Sequence, residues 1–217
     1  MAMLCNFFPE LIGKETNHEL FHEIKNGNVA LPAGAEGFFV IPPWSKIGST
    51  YLTALEKVLK ALEQAPNGHP INCQQNELDP HKLLCETPKK ARMMEALQQS
   101  QNADILIVPA QLGLLHRYKS VRRARALMSG MEFGLGVYEI GIILLTHPNR
   151  LQDWESLRID CAGDEYSLDV GGDFPNIPLF LYSAGNLCLQ QFRLNYAAVE
   201  NGSASGFATP LSVIPSQ

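Results

Sequence analysis

The chain has 217 residues, of which 46% are hydrophobic and 18% are charged. This composition excludes a collagen-like, a disulfide-dense and a generally disordered chain. The longest apolar run, at residues 140–145, is far shorter than the roughly 20 residues that a membrane-spanning helix needs. The five cysteines form no C-x-x-C pair, and the first residues do not resemble a secretion signal, so we expect reduced thiols and a cytoplasmic location.

The net charge of −5 is unevenly distributed along the chain. Residues 151–217 carry two basic side chains against eight acidic ones, and no acidic residue lies between Asp104 and Glu132. That acid-free window contains the one concentrated basic segment of the sequence: His116, Arg117, Lys119, Arg122, Arg123 and Arg125. A protein with this overall charge does not bind nucleic acid through its whole surface, but this segment can bind an anion locally.

Hydrophobic periodicity, capping residues and prolines predict the elements of the first two thirds of the chain. The first elements are a helix at 17–26, capped by Thr16 with Glu19 completing a capping box, a buried strand at 38–41 and a helix from Ser49 or Thr50 to Gln64. A long polar connection at 67–86, a helix at 89–100 and a buried strand at 105–108 follow. The last are a loop at 110–119, a helix that starts after Ser120 and stops at Gly130, and a third apolar strand at 140–145.

The last third is predicted to be mainly β-structure. Clean alternation at 157–161 and 166–170 predicts an antiparallel hairpin, in which Arg158 would face Asp169. A strand is expected at 178–182, and Cys188, Phe192, Tyr196 and Val199 have the spacing of a final helix. The segment from Gly202 is rich in Ser, Gly, Ala and Pro, which predicts a loosely held tail.

These elements predict an α/β fold with a mixed sheet. Strand-helix units fill the first two thirds, with parallel pairing between the early strands, and an antiparallel hairpin lies in the last third. We expect residues 1–201 to form a single α/β domain and residues 202–217 to form the tail.

The sharpest motif is His18-Glu19-Leu20-Phe21-His22, which matches H-E-x-x-H. On a helix, residues four apart share a face, so His18 and His22 could bind one Zn²⁺ while Glu19 activates a metal-bound water. The motif resembles that of the zincin metallopeptidases, which implies a zinc-dependent hydrolase. Against this interpretation, the helix is short, Glu19 already has a capping role, and no third ligand is fixed by spacing, although Glu77, Asp79 and His81 lie in the long polar connection.

The basic segment predicts an anion site. It follows a buried strand and leads into a helix capped by Ser120, where free backbone N–H groups, the helix dipole and arginines all favour negative charge. If the prolines after the predicted strands mark one sheet edge, side chains from other loops join it there. The predicted ligand-binding residues are Trp44, Lys46, His116, Arg117, Lys119, Arg122 and Arg123, with His116 and His147 as candidate proton-transfer groups.

Glu139 is a third candidate. It is an isolated acid beside an apolar run, and with Asp160, Asp164 and Glu165 it could hold Mg²⁺ at neighbouring strand ends. Acids at a turn or facing water are the more common explanation, and a buried Glu139 with a raised pKa would alter that judgement.

The signatures of P-loop, dinucleotide-binding and serine-hydrolase proteins are absent from the sequence. The sequence therefore leaves three functions open. The favoured one is binding of a phosphate-bearing ligand or nucleic acid at the basic segment. The alternatives are a zinc hydrolase built on His18, Glu19 and His22, and an assembly or scaffold protein, including a homo-oligomer, in which the basic helix contacts an acidic surface.

Overall fold

A mixed sheet with helices against both of its faces organises the chain. The structure, a computed structural model, describes residues 2–65, 84–128, 130–153, 155–167 and 174–208. Within these ranges the helices are α1 (Ala2–Phe7), α2 (His18–Lys25), α3 (Tyr51–Gln64), α4 (Pro88–Gln101), α5 (Val121–Leu127) and α6 (Val137–Thr146). The strands are β1 (Gly37–Ile41), β2 (Leu84–Glu86), β3 (Leu106–Arg117), β4 (Glu132–Gly134), β5 (Arg158–Asp160), β6 (Asp164–Tyr166), β7 (Asn176–Ser183), β8 (Asn186–Arg193) and β9 (Asn201–Phe207).

The nine strands form one sheet in the order β1-β3-β9-β5-β7-β6-β2, with β4 also paired to β9 and β8 to β7. The β5–β9 pair is parallel and the other ladders are antiparallel. The predicted α/β class with a mixed sheet is therefore confirmed, and an antiparallel hairpin, β7–β8, lies late in the chain.

Two apolar clusters lie on opposite faces of the sheet. The larger one gathers α1, α3 and α6 with alternate residues of β1 and β3. The smaller one packs α5 against β7 and β8. In β7, Phe180 belongs to the larger cluster and its neighbours Leu179 and Leu181 to the smaller, as expected because successive strand side chains point to opposite faces.

Three predicted helices are confirmed with their caps. Thr50 accepts a hydrogen bond from Thr53 N at the start of α3, Thr87 caps α4, and Ser120 caps α5. The helix α2 also forms, but its cap is Asn17, whose Oδ1 accepts from Leu20 N at 2.9 Å. The predicted capping box of Thr16 and Glu19 is therefore wrong.

The predicted strand at 140–145 is wrong, because these residues belong to α6. Every residue from Val137 to Leu145 is buried. A helix surrounded by core on all sides has no polar face, so its sequence lacks the period that distinguishes a helix from a strand. Gly141 permits the close approach of α3, since a Cβ at that position would lie 2.6 Å from Val58 Cγ1.

Several predicted pairings also differ. The early strands β1 and β3 pair antiparallel, not parallel. The predicted hairpin of 157–161 with 166–170 is not formed by the described part of these segments. β5 pairs with β7 and β9, β6 lies at 164–166 and pairs with β2 and β7, and residues 168–170 lie outside the described ranges. Asp169, the predicted partner of Arg158, lies outside the described residues. Arg158 forms an ion pair with Glu200 at 3.1 Å.

The predicted C-terminal helix and the start of the predicted tail are corrected as well. Residues 186–193 form β8, and 201–207 form β9, which is buried throughout. Only residues 209–217 of the predicted tail lie outside the described ranges. Small residues suit β9 because its neighbours approach closely, and a Cβ at Gly206 would lie 2.8 Å from the Phe133 ring.

Among the described residues, none of the helices combines the length and the apolar character that crossing a membrane requires.

Candidate functional site

The structure separates the residues that the sequence placed at one sheet edge. Trp44 follows β1, whose last residue, Ile41, pairs with Leu106 at the start of β3. Arg117 is the last residue of the same strand. β3 is irregular between Leu112 and Arg117, where its partners on β9 advance only from Ala204 to Gly202, but it still separates Trp44 at its start from the basic segment at its end. The predicted single site is therefore wrong, because Pro109 lies within β3 and does not end it.

Two other members of the predicted site have partners elsewhere. Lys46 Nζ lies 2.5 Å from Asp104 Oδ1, an ion pair that also lowers the pKa of Asp104 through the hydrogen bond. His147 is exposed at the end of α6 and packs edge-on against the Phe39 ring, with the ring centroids 5.1 Å apart.

The remaining basic residues do share one surface, and Arg193 joins them. This basic surface consists of Arg117, Lys119, Arg122, Arg123 and Arg193. The segment after β8 runs beside the start of α5, since Arg122 N donates to Leu194 O at 3.2 Å, and Arg117 Nε donates to Val199 O at 3.4 Å. All of these side chains are exposed except Lys119, which is half-buried.

None of the five basic groups forms an ion pair with a carboxylate of the described chain. Arg122 and Arg193 line one open pocket of about 500 Å³, together with Pro175, Asn176, Leu194 and Asn195. The exposed ring of Tyr118 lies beneath the Arg117 guanidinium, 4.6 Å from its carbon to the ring centroid.

The sequence predicts that backbone N–H groups at the start of α5 bind the anion, but those of Arg122 and Arg123 are already bonded within the protein. Arg122 N already donates to Leu194 O, and Arg123 N donates to Ser120 Oγ at 3.3 Å. Any anion would therefore bind through the side chains.

His116 is separate from this surface. It is 4% exposed, and its Nε2 lies 2.7 Å from Glu132 Oε1, which also accepts from Ser205 Oγ at 2.6 Å. Burial would raise the pKa of Glu132, but these hydrogen bonds lower it. The prediction that His116 stands among the exposed arginines is wrong, because its side chain turns into the polar interior beside β9.

The H-E-x-x-H helix lies on the protein surface. The His18 side chain is 75% exposed and its Nε2 lies 2.9 Å from Glu15 Oε2, and His22 Nδ1 lies 2.8 Å from Asn26 Nδ2. Within the described ranges, no three His, Cys, Asp or Glu side chains converge in a way that could hold a metal ion. Glu77, Asp79 and His81, the candidate third ligands, lie outside those ranges.

Glu139 lies in a buried network around Lys90, a residue that the sequence analysis did not single out. Lys90 is fully buried, and its Nζ lies 2.8 Å from Asp164 Oδ1, 3.0 Å from Glu139 Oε2 and 3.2 Å from Glu86 Oε1. Tyr51 OH lies 3.1 Å from the same nitrogen and donates to Asp164 Oδ2 at 2.6 Å.

Local structure explains how these side chains meet. Glu139 Oε2 accepts from Gly136 N at 2.9 Å and so caps α6, and Asp164 Oδ2 accepts from Val137 N at 2.7 Å at the same helix start. Lys90 occupies the first turn of α4, one turn after Glu86 at the end of β2. The ammonium group of Lys90 therefore connects the starts of α4 and α6 with the strands β2 and β6.

Burial and charge oppose each other in this Lys90 network. Burial would lower the pKa of Lys90, but the carboxylates of Asp164, Glu139 and Glu86 outweigh it and raise the pKa. Burial raises the pKa of Glu139; Lys90 opposes this rise, and Asp164 and Glu86 add to it. Glu139 therefore meets the condition of burial with a raised pKa that makes it a candidate functional acid.

A second pocket, of about 220 Å³, opens beside the network. Trp44, Met94 and Leu106 contribute apolar walls, and Glu86, Glu95 and Glu139 contribute carboxylates. We call it the acidic pocket. Trp44 is thus the one predicted binding residue that lines it.

The two pockets and the sheet define a mixed α/β protein with a basic surface at one end of β3 and an acidic pocket at the other. Comparison of the chain with protein-family models, with curated proteins and with solved structures finds no match in any of the three. The function is therefore argued from the sites themselves.

Proposed function

We propose that the protein binds a phosphate-bearing ligand on the basic surface. The observation that carries this proposal is that five neighbouring basic side chains have no carboxylate partner in the described chain, while two of them, Arg122 and Arg193, line the same pocket. Arginine suits phosphate because its planar guanidinium donates two parallel hydrogen bonds.

The surrounding charges support the same conclusion. The protein carries a net charge of −5, and other arginines, such as Arg125 and Arg158, are paired with Glu165 and Glu200. A group of like charges left unpaired on an acidic protein repels itself and is relieved by an anion. Glu200, the next acidic residue after Arg193 in the sequence, already forms an ion pair with Arg158.

Exposed aromatic rings favour a ligand that carries bases as well as phosphates. Tyr118 and Tyr196 are 56% and 48% exposed, and in the sequence they lie one residue after Arg117 and three residues after Arg193. Bases stack on such rings without sequence preference, and basic groups follow the phosphates. A nucleotide or a single-stranded nucleic acid is therefore the ligand class that we propose.

The test is fluorescence anisotropy with a labelled single-stranded oligonucleotide at several salt concentrations, and with a labelled mononucleotide. Replacing Arg122 and Arg193 by Ala should weaken oligonucleotide binding and reduce the slope of log K against log salt by about one to two. The matched control is Lys25→Ala with Lys60→Ala, which removes two exposed positive charges from α2 and α3.

Equal weakening in the control pair would show a general charge effect and contradict the proposal, as would an unchanged salt slope in the Arg122/Arg193 variant. Mononucleotide binding that is as sensitive to the arginines would identify the smaller ligand as sufficient. If neither ligand binds, but the oligomeric state changes with salt in sizing experiments, the basic surface is an assembly interface and the proposal is wrong.

We also propose a cytoplasmic location. Cys5, Cys85, Cys161 and Cys188 all carry free thiols in the described residues, which suits a reducing compartment. Burial raises the pKa of the Cys161 thiol well above its usual value, so this thiol stays protonated and unreactive.

A further inference from the structure

The acidic pocket carries charge that the described residues do not neutralise. Three carboxylates, Glu86, Glu139 and Asp164, surround the single ammonium of Lys90. Glu95 lines the same pocket and lies outside that network. Each titratable side chain that lines the pocket is a carboxylate, so the pocket presents a surplus of negative charge to whatever enters it.

Asp164 is fully buried and does not line the pocket, whereas Glu139 does. Both oxygens of Asp164 are used, Oδ1 by Lys90 and Oδ2 by Tyr51 and Val137 N. Glu139 Oε2 accepts from Lys90 and Gly136 N, and no hydrogen bond to its Oε1 is found among the described residues. Glu139 is 1% exposed and still forms part of the pocket wall, so a molecule in the pocket would meet a buried carboxylate.

The other walls determine the shape and polarity of an occupant. Trp44 is half-buried against the core, and Met94 and Leu106 add apolar surface. Drug-sized ligands occupy pockets of about 300–1,000 Å³, so a volume of about 220 Å³ limits the occupant to a small molecule. An indole face beside carboxylates is a favourable environment for an organic cation.

We propose that the acidic pocket binds a small organic cation, a primary ammonium group on a short apolar chain. The ammonium interacts with Glu139, Glu86 and Glu95, and the chain packs against Trp44, Met94 and Leu106. This site is independent of the proposed function, because it lies at the opposite end of β3 from the basic surface.

A metal ion is the less suitable cation for these walls. No group of metal-ligating side chains converges in the described part of the chain, and the central position between the buried carboxylates is taken by the Lys90 ammonium. Half of the pocket wall is apolar, which contributes nothing to a hydrated divalent cation but stabilises a hydrocarbon chain.

The experiment is an NMR titration that follows the Trp44 indole N–H, assigned with Trp44→Phe. The probes are n-butylammonium and 1,4-diaminobutane as cations, 1-butanol as the neutral analogue and butyrate as the anion. We expect saturable shifts of the Trp44 signal with both amines, and no saturation with butyrate at the same concentrations.

Variants then separate charge from folding. Glu95→Gln removes a pocket carboxylate on the exposed face of α4 outside the Lys90 network, and should weaken n-butylammonium binding about two- to fivefold. Glu86→Gln should weaken it by about tenfold, because its carboxylate is more buried. The matched control is Glu63→Gln on exposed α3, which should leave the affinity unchanged.

The proposal is overturned if neither amine shifts the Trp44 signal, or if 1-butanol and butyrate bind as well as the amines. It is also overturned if Glu95→Gln and Glu63→Gln give the same affinity as the wild type. Because Glu95 is exposed, this variant should fold even if Glu86→Gln does not, so the comparison with Glu63→Gln can always be made.

Discussion

Charged residues are used in opposite ways at the two ends of β3. Around Lys90, carboxylate oxygens of three acidic residues lie within 3.2 Å of one buried ammonium nitrogen. On the basic surface, Arg122, Arg123 and Arg193 point into water without a carboxylate partner in the described chain. Charged side chains therefore hold the fold together around Lys90, whereas those of the basic surface bond to no carboxylate of the described chain.

This contrast separates stability from binding. A buried charge that loses its partner retains its full desolvation cost, whereas an exposed charge loses only a screened interaction. Substitutions in the Lys90 network should therefore change the free energy of unfolding, and those on the basic surface should change ligand affinity alone.

The largest effect is expected from Lys90→Met. Met has a similar length and is apolar, but it leaves Asp164, Glu139 and Glu86 without their common cation. We expect a loss of about 3–5 kcal/mol in the free energy of unfolding at neutral pH, measured by denaturant titration. The control is Lys60→Met, which removes an exposed lysine of α3 and should change stability by less than about 0.5 kcal/mol.

The Lys90→Met deficit should also depend on pH. Without the ammonium, the pKa of Glu139 rises further, because burial raises it and Lys90 is the group that opposes this rise. Protonation then removes the unpaired charge, so the stability gap to the wild type should narrow as the pH is lowered from neutral. An equally stable variant, or a gap that widens in acid, would show that the network is not held by charge.

Asp160 provides a test of a buried acid that forms no ion pair within the described residues. It is 2% exposed, it accepts a hydrogen bond from Asn201 Nδ2 at 2.9 Å, and it forms no ion pair within the described residues. Burial raises its pKa to about 7, although the hydrogen bond from Asn201 opposes the rise. Asp160 therefore differs from the Lys90 network: it is a buried acid whose pKa is raised by burial more than its hydrogen bonds and the Arg158 charge lower it.

The direction of the pH effect follows from that raised pKa. The folded protein retains the Asp160 proton up to about pH 7, whereas the unfolded chain releases it near pH 4, so this residue makes stability fall as the pH rises between those values. Asp160→Asn keeps an acceptor for Asn201 and removes the ionisation. We expect the variant to exceed the wild type by about 2–4 kcal/mol above pH 7 and to match it near pH 4, measured by urea unfolding across pH. Parallel pH profiles would contradict this assignment.

The sequence predicted local structure better than it predicted partners. Periodicity located α3, which has one apolar and one polar face, and the caps Thr87 and Ser120 located α4 and α5. The signal failed for α6, which is buried on all sides, and for β9, whose Gly, Ser and Ala residues resemble a loop. Close packing selects small residues in β9, and no property of the isolated segment reveals that packing.

The candidate sites show the same limit. Consecutive basic residues made Arg117, Lys119, Arg122 and Arg123 visible in the sequence, whereas Arg193 joins them only because the segment after β8 runs beside α5. Glu139 was identified as an isolated acid next to an apolar run. Its partner Lys90 is 49 residues away, and an exposed lysine after Thr87-Pro88 would have the same local sequence.

The smallest effect on stability is expected at the basic surface, where the comparison is sharpest. Arg122→Ala with Arg193→Ala removes two exposed guanidinium groups that have no carboxylate partner in the described chain, so the free energy of unfolding should change by less than about 0.5 kcal/mol. Adding sodium chloride should not destabilise the wild type through these residues, because they form no ion pair in the described chain that salt would screen. A loss of stability comparable to that of Lys90→Met would mean that these arginines hold the fold together. A small gain in low salt would agree with relief of repulsion among like charges, which is the condition that a phosphate-bearing ligand would otherwise relieve.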